Sequence, residues 1–449
     1  MTRHVNRYDL HPVVRGVASG TLPTEDRDRF GQRAVDYFSQ RPDNPYEQAE
    51  TLDDVRNGLQ LVQALLQMWR TEDAFNVCQG GLLMTLLFNL EAPAEVLSLV
   101  RPFFTRDWTA PAADLSDYSF AWLANEAALA FHKLGQYEQS LVLDEVALRM
   151  CLDQRNWSNM RASLAHTAVN FAEQNRLARY SKFIVLGLEL AELIDGDVHL
   201  FRARLSRFKQ LAEIGRWGDA EVIWHELDAM GRDWQRDIYR PGDAEEEEEE
   251  YVRSQLRQGR LTEDVLAQAE RVARSGRNRV SVRFLHALRG EWHLGRQEWA
   301  LAVESLHEAV RMTRETGASD AWPEAWLALA RFHLGLLPDA RQEANRLSSR
   351  ADPSHLPLAE LWHAMGDTAQ AAYHALAAYQ WAWSDGEPFV HRYELTRATG
   401  LLKLLGTEIP QLPAYDPPNE PQLAFEDQVR AVIQELRAKR ASRDEPRQD

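Results

Sequence analysis

Residues 133–140 read K-L-G-Q-Y-E-Q-S. An apolar helix ends, Gly135 turns the chain, an aromatic follows two residues later, and a new helix begins. The same sentence recurs as Q-N-R-L-A-R-Y-S at 174–181, I-G-R-W-G-D-A at 214–220, L-G-R-Q-E-W-A at 294–300 and L-G-L-L-P-D-A at 334–340. The anchors Gly135, Asn175, Gly215, Gly295 and Gly335 fall at intervals of 40, 40, 80 and 40 residues, with Gly259 inside the long gap and Gly366 adding a shorter unit. Gly or Asn takes the left-handed conformation that ends a helix. Tyr137, Leu177, Trp217 and Leu337 pack the turn, and small residues such as Ala220, Ala340 and Ala371 let the second helix approach the first. The pairs Ala302/Ala309 and Ala371/Ala378 extend that small face by two helical turns. One hairpin cannot bury its own apolar face, so neighbours must stack.

Working outward, apolar residues recur at i, i+3, i+4 and i+7 from about 55 to 405, as in 59–69, 118–131 and 321–334. That period predicts helix after helix. Only Tyr8–Val14 reads as a short strand. The 449 residues exceed one ordinary core. The net charge of −17 argues against nucleic acid as a partner. Lysine is confined to positions 133, 182, 209, 403 and 439, so arginine carries most positive charge. Cys78 and Cys151 sit in apolar helical runs and read as buried thiols of a reducing compartment. No apolar run reaches a membrane span, and the start lacks the apolar segment of a signal peptide. A cytoplasmic location is expected. The fourteen tryptophans fall largely within the repeats and are read first as packing residues.

Gly, an aromatic at +2, Ala at +5 and Ala at +12 resemble the turn of a tetratricopeptide repeat. That family's unit is usually about 34 residues, whereas this chain runs near 40, closer to the long repeats of regulatory ATPases. Asn175 and the stretch L-G-R-Q-E-W-A-L-A depart from the pattern. The resemblance implies an all-α, right-handed superhelical solenoid over 55–405. It would be preceded by a connector over 1–54 and followed over 406–449 by a Pro-rich spacer, a final helix at 424–437 and a disordered tail, A-S-R-D-E-P-R-Q-D.

The block Y-D-L-H-P-V-V-R-G-V-A at 8–18 resembles the end of the winged-helix segment in STAND-type (NB-ARC-like) signalling NTPases. There a Leu-His-Pro block closes the ATPase module, and a connector and repeats follow. The stretch 381–395 and the Pro-rich 409–418 resemble the same family. The likeness implies that Leu10, His11 and Arg15 form a docking element, with His11 matching the histidine that approaches the nucleotide phosphates. As the chain stands, His11 is read as packing a short N-terminal element. The sequence holds no Gly-x-x-x-x-Gly-Lys-Ser/Thr and no Gly-Lys pair, so nothing cradles a triphosphate. The expectation is the sensor portion of such a switch, its ATPase lost or carried on another chain.

Glu245–Glu250 follows R-P-G-D and suits a helix N-terminus, giving a solvated helix start, with a docking site for a basic partner or a cation as the alternative. W-H-E-L-D at 224–228 lacks the second histidine of a zinc protease. Glu387 and His391, four apart, could supply half a metal site, but capping is expected instead, with Asp385 as N-cap and Pro388 in the first turn. No metal, no cofactor and no catalytic constellation are expected. In such arrays the first helix of each hairpin lines the concave face. Counting back from the anchors, Asn125, His132, Arg202, Lys209, Arg289, His293 and His333 should face it. A groove with cationic and aromatic side chains suits a peptide or an acidic protein segment. The expected function is a non-catalytic sensor or scaffold that passes a binding event to a separate P-loop ATPase or effector. The alternatives are a stand-alone assembly adaptor and a regulator sensing a small molecule between repeats.

Overall fold

A computed structural model of the chain describes residues 23–40, 46–111, 114–194, 196–230, 243–276, 278–316, 322–419 and 422–444. Among these the protein is all-α, with two isolated β-bridges and no strand. The first part holds α1 (Thr24–Ser39), α2 (Arg56–Gln67), α3 (Thr71–Val77) and α4 (Pro93–Val100), with a kink at Gly80 and Gly81 and a short π-helical turn at Thr85–Asn89. Long helices follow: α5 (Asp117–Lys133), α6 (Tyr137–Asp153), α7 (Trp157–Glu173), α8 (Leu177–Ala191), α9 (Asp197–Glu213) and α10 (Trp217–Ala229). Next come α11 (Asp243–Arg257), α12 (Glu263–Gly276), α13 (Arg279–Gly295), α14 (Trp299–Thr316) and α15 (Trp322–His333). The chain ends with α16 (Ala340–Ser348), α17 (His355–Ala364), α18 (Thr368–Trp383), α19 (Arg392–Leu404) and α20 (Glu426–Asp444). No helix among the described residues is long and apolar enough to cross a membrane. The block around Leu10, His11 and Arg15, with its expected short strand, lies outside the described residues.

Local chemistry sets the helix ends. Ser116, Asn156, Asn278, Asp339 and Asp367 accept the N3 backbone N–H and start α5, α7, α13, α16 and α18. Left-handed residues stop helices at Gly135, Asn175, Gly215, Gly259, Gly335 and Gly366, as the pattern predicts. Two turns differ. Arg155 is also left-handed, with φ 54°, and ends α6. In the fifth unit the left-handed residue is Gln297 (φ 60°), not Gly295, which is still the last residue of α13. The anchor there therefore moves two residues on.

Most helices pack against their sequence neighbours, and α5, α7, α9, α11, α13, α15, α17 and α19 also touch in succession, forming one continuous layer. The second helices meet that layer through alanines: Ala220, Ala302, Ala309, Ala371 and Ala378 are buried. Trp122, Trp326 and Trp362 are core residues. Cys78 and Cys151 are free and buried, and burial pushes each thiol up to about 12.

The layer bends, and distant parts of the chain meet across it. Arg283 of α13 bonds Glu91 at 2.7 Å in a nearly water-free contact. The loop after α18 reaches the α7–α8 turn. From Leu405 the Pro-rich strap crosses α18, where Tyr379 and Trp383 donate to the carbonyls of Pro410 and Pro413. Helix α20 then lies on α8, burying Phe425, Val429 and Ile433 beside Phe183, Ile184 and Leu190. Arg437 pairs with Glu189 at 3.1 Å, and Lys182 pairs with Glu426. Residues 441–444, expected to be disordered, are instead the last turn of this helix.

Gly386 shows how tightly the strap is held. Its φ is 90°, and a Cβ there would stand 2.7 Å from the Tyr415 nitrogen and 2.8 Å from the Pro413 oxygen. Gly386→Ala is expected to cost about 1–3 kcal/mol, read as a lower urea midpoint, with earlier protease cleavage in 407–419.

Candidate functional site

The continuous layer surrounds a cavity of about 1260 Å³. Its walls come from α5, α7, α9, α11, α13, the start of α15, the segment before α17, and the α18–α19 region; residues 84–95 close one side. Many of the side chains that face it follow a rule of position. Thirteen residues before Asn175, Gly215, Gly259, Gln297, Gly335 and Gly406 lie Ala162, Arg202, Glu246, Phe284, Trp322 and Tyr393. Six before Gly135, Asn175, Gly215, Gly259 and Gln297 lie Leu129, Val169, Lys209, Arg253 and Glu291. Positions seven apart share a helix face, so both sets point inward.

The expected groove residues separate on this rule. Arg202 and Lys209 lie thirteen and six before Gly215 and line the cavity, as does His132. The His132 Nδ1 meets Asn170 Oδ1 at 2.9 Å, and burial lowers its proton affinity. Asn125 is buried between α5 and α7, accepting from Ser163 Oγ at 3.0 Å. Arg289 turns away, donating to Glu270 at 2.6 Å and Glu263 at 2.9 Å on α12. His293 is buried against Glu298 at 2.7 Å. His333 is exposed and stacks on Trp299 with ring centres 4.0 Å apart. The misplaced anchor Gly295 explains Arg289: counting six back from Gln297 gives Glu291, which does line the cavity. His293 and His333, two before Gly295 and Gly335, sit at an offset that faces elsewhere.

The acidic run is the largest correction. Instead of a solvated helix start, Glu247, Glu248, Glu249 and Glu250 are all buried on α11. Glu246, Glu249 and Glu250 line the cavity. Lys209 Nζ reaches Glu246 at 2.8 Å and Glu250 at 3.2 Å, while Arg253 reaches Glu249 at 3.3 Å and Glu250 at 3.6 Å. Burial would lower Lys209 and raise Glu250, but Glu246 with Glu250 holds the lysine well above its usual range, and Arg253 with Lys209 holds the Glu250 carboxyl below its own. Glu249 goes the other way. Burial, opposed by Arg253, pushes its carboxyl up to about 8, so it is mostly neutral at pH 7 and can donate a hydrogen bond.

The second correction concerns 384–391. This stretch is a loop, so Glu387 and His391 share no helix face, and Asp385 caps no helix of its own. Asp385 Oδ2 accepts the Ala178 N–H at 2.8 Å, capping α8 from 207 residues away. Pro388 precedes α19 rather than opening it, and Glu387 pairs with Arg392 at 2.7 Å. His391 meets Glu213 and Asn175. With Glu394, Glu213 and His391 form a trio of donors within 4.8 Å of one another that could hold a metal ion. Arg257 already bonds both carboxylates, at 2.5 Å and 3.0 Å, and so holds the cation position. Burial would raise the Glu213 carboxyl, but Arg257 and His391 hold it well below the usual carboxylate range.

No protein-family model matches the chain, and no curated protein matches it in sequence.

Removing one partner of a buried ion network leaves the other uncompensated. Lys209→Ala is expected to cost about 3 kcal/mol at neutral pH by urea unfolding. The deficit should narrow only as pH falls below the ordinary carboxylate range, where the wild-type Glu250, held low, finally takes up its proton and the wild type loses the pair as well.

Proposed function

We propose that this chain is a right-handed solenoid of tetratricopeptide-like hairpins with a period near 40 residues, and that its cavity binds an extended segment of a partner protein. It would be the non-catalytic recognition part of a STAND-type signalling or defence system, working with a P-loop ATPase or effector on another chain. The observation that carries the binding reading is the wall of the cavity. One layer of helices presents Arg202, Lys209, Glu246, Arg253 and Tyr393 to a shared interior. Its volume exceeds the roughly 300–1,000 Å³ of ordinary small-molecule sites, which favours a peptide segment over a small inducer. The basic side chains of α7 and α9, Arg161, Arg202 and Lys209, face that interior and suit acidic residues on the segment. The regular turns at Gly135, Asn175 and Gly215 support the repeat assignment. A stand-alone assembly adaptor would use the same cavity without an ATPase.

The test is affinity capture from native cell extract with the wild-type chain, Arg202→Glu and His11→Ala as baits, read by mass spectrometry. A cavity-bound partner should be retained by wild type and reduced about tenfold by Arg202→Glu, with that variant's helix content unchanged. Recovery of a P-loop ATPase that His11→Ala releases supports the split switch. Partners indifferent to His11 leave an adaptor. A set of partners indifferent to Arg202 removes the cavity reading.

A further inference from the structure

The loop between α18 and α19 is clasped to the α7–α8 turn and the end of α9, and one histidine stands at the centre of the clasp. Asn175, left-handed at φ 58°, has its amide orientation fixed: its Nδ2 donates to the Trp381 carbonyl at 2.8 Å. Its Oδ1 therefore faces His391 Nε2, at 2.8 Å. The other ring nitrogen, Nδ1, faces Glu213 Oε1 at 2.6 Å. Both ring nitrogens thus meet acceptors. A neutral imidazole carries one N–H and can serve only one of them. The remaining nitrogen would set its lone pair against a carbonyl or carboxylate oxygen. Turning the Asn175 amide over does not help, because its oxygen would then face the Trp381 carbonyl. Only the imidazolium satisfies every contact.

The surroundings point the same way. The Trp381 indole stacks on the His391 ring, centres 4.1 Å apart and nearly parallel at 12°, an arrangement that favours a cation. The charged groups on the elements that meet at the clasp are Glu213 on α9, Arg257 on α11, Glu394 and Arg392 on α19, and Asp385 and Glu387 in the loop, with Glu213 and Glu394 beside the ring. Carboxylates outnumber guanidiniums, and His391 is buried among them.

We propose that His391 is a proton-operated latch that clasps the C-terminal hairpin to the α7–α9 side of the cavity. The clasp needs the proton, so its stabilisation is present on the acid side and is lost as pH rises through the range where histidine gives up its charge. Glu213 sets the opposite edge: its carboxylate persists to well below the usual range, so acid opens the clasp only there. Because Ser384 and Asp385 cap α8 from the same loop, opening exposes the Leu177 and Ala178 amides.

The experiment is hydrogen exchange of the full chain by mass spectrometry at pH 6 and pH 8.5, corrected for the intrinsic pH dependence of exchange. Peptides covering 175–180 and 384–391 report the clasp, and peptides of α14 are the control. Wild type should open about tenfold more often at pH 8.5 than at pH 6, the loss of one charge-assisted bond, with α14 unchanged. His391→Gln cannot titrate and should give the same corrected exchange at both pH values. A wild-type clasp equally protected at both pH values overturns the proposal without recourse to any variant. A pH response that survives His391→Gln overturns it too.

Discussion

The architecture depends on contacts made across some two hundred residues of chain between the α7–α8 turn and the loop that follows α18. A stack of helical hairpins has no reason of its own to bring its fourth and last pairs together, since each hairpin is satisfied by its neighbours. Here Ser384 and Asp385 supply the acceptors that the start of α8 lacks locally, because Arg176 at its N-cap gives no side-chain bond. The first N–H groups of any helix need such acceptors. Helix α8 is therefore completed by the far end of the chain, and the row of inner helices curves into a wall around a partly open interior.

That closure changes what the inner charges mean. On an open groove, Glu246–Glu250 would sit in water and need no partners. Inside the wall, four consecutive glutamates of α11 are buried, and a buried charge must be paired or neutralised. Both solutions occur side by side. Lys209 and Arg253 pair with Glu246 and Glu250, whereas Glu249 is driven towards its neutral form. Arg257 does the same work for Glu213 and Glu394, and Arg397 bridges Glu291 and Glu360 beneath the face of Trp326. An apolar filling of equal volume would stabilise at least as well. A polar interior around open space is suited instead to exchanging its internal pairs for those of an incoming segment.

Much of this was legible from residues. The helical period, the six glycine or asparagine turns and the small alanine faces follow from local rules and stand in the fold as read. Asn175 was visible as a departure from glycine, and its side chain explains it: glycine would turn the chain equally well but could not hold Trp381 and His391. The unread parts are tertiary. Gln297 carries no turn signal of glycine's kind, so the adjacent Gly295 drew the anchor to itself and displaced Arg289 from the set that faces inward. Asp385 has the local signature of an N-cap, and it is one, but for a helix that no sequence window contains. The acidic run reads as solvated in isolation because Lys209 on α9 becomes its counter-ion only after stacking, and the one cation in reach on its own helix, Arg253 a turn along, cannot pair every carboxylate.

Two demands on the same interior then meet at His391. A chain segment that settles into this partly open space has to part its walls to reach the inner side chains, yet the wall is held by buried ion pairs whose rupture is costly. Most of those pairs are guanidinium–carboxylate bonds, which no ordinary pH change breaks, because arginine does not lose its charge. Arg257–Glu213 and Arg283–Glu91 are of this kind and fix the frame. The one charged group of the clasp that can change state under mild conditions is the imidazole, and it lies where the C-terminal hairpin meets the α7–α9 side. The clasp thus sets permanent ionic seams beside one held by an imidazole, and an opening that spares the fold runs most cheaply along the imidazole's seam.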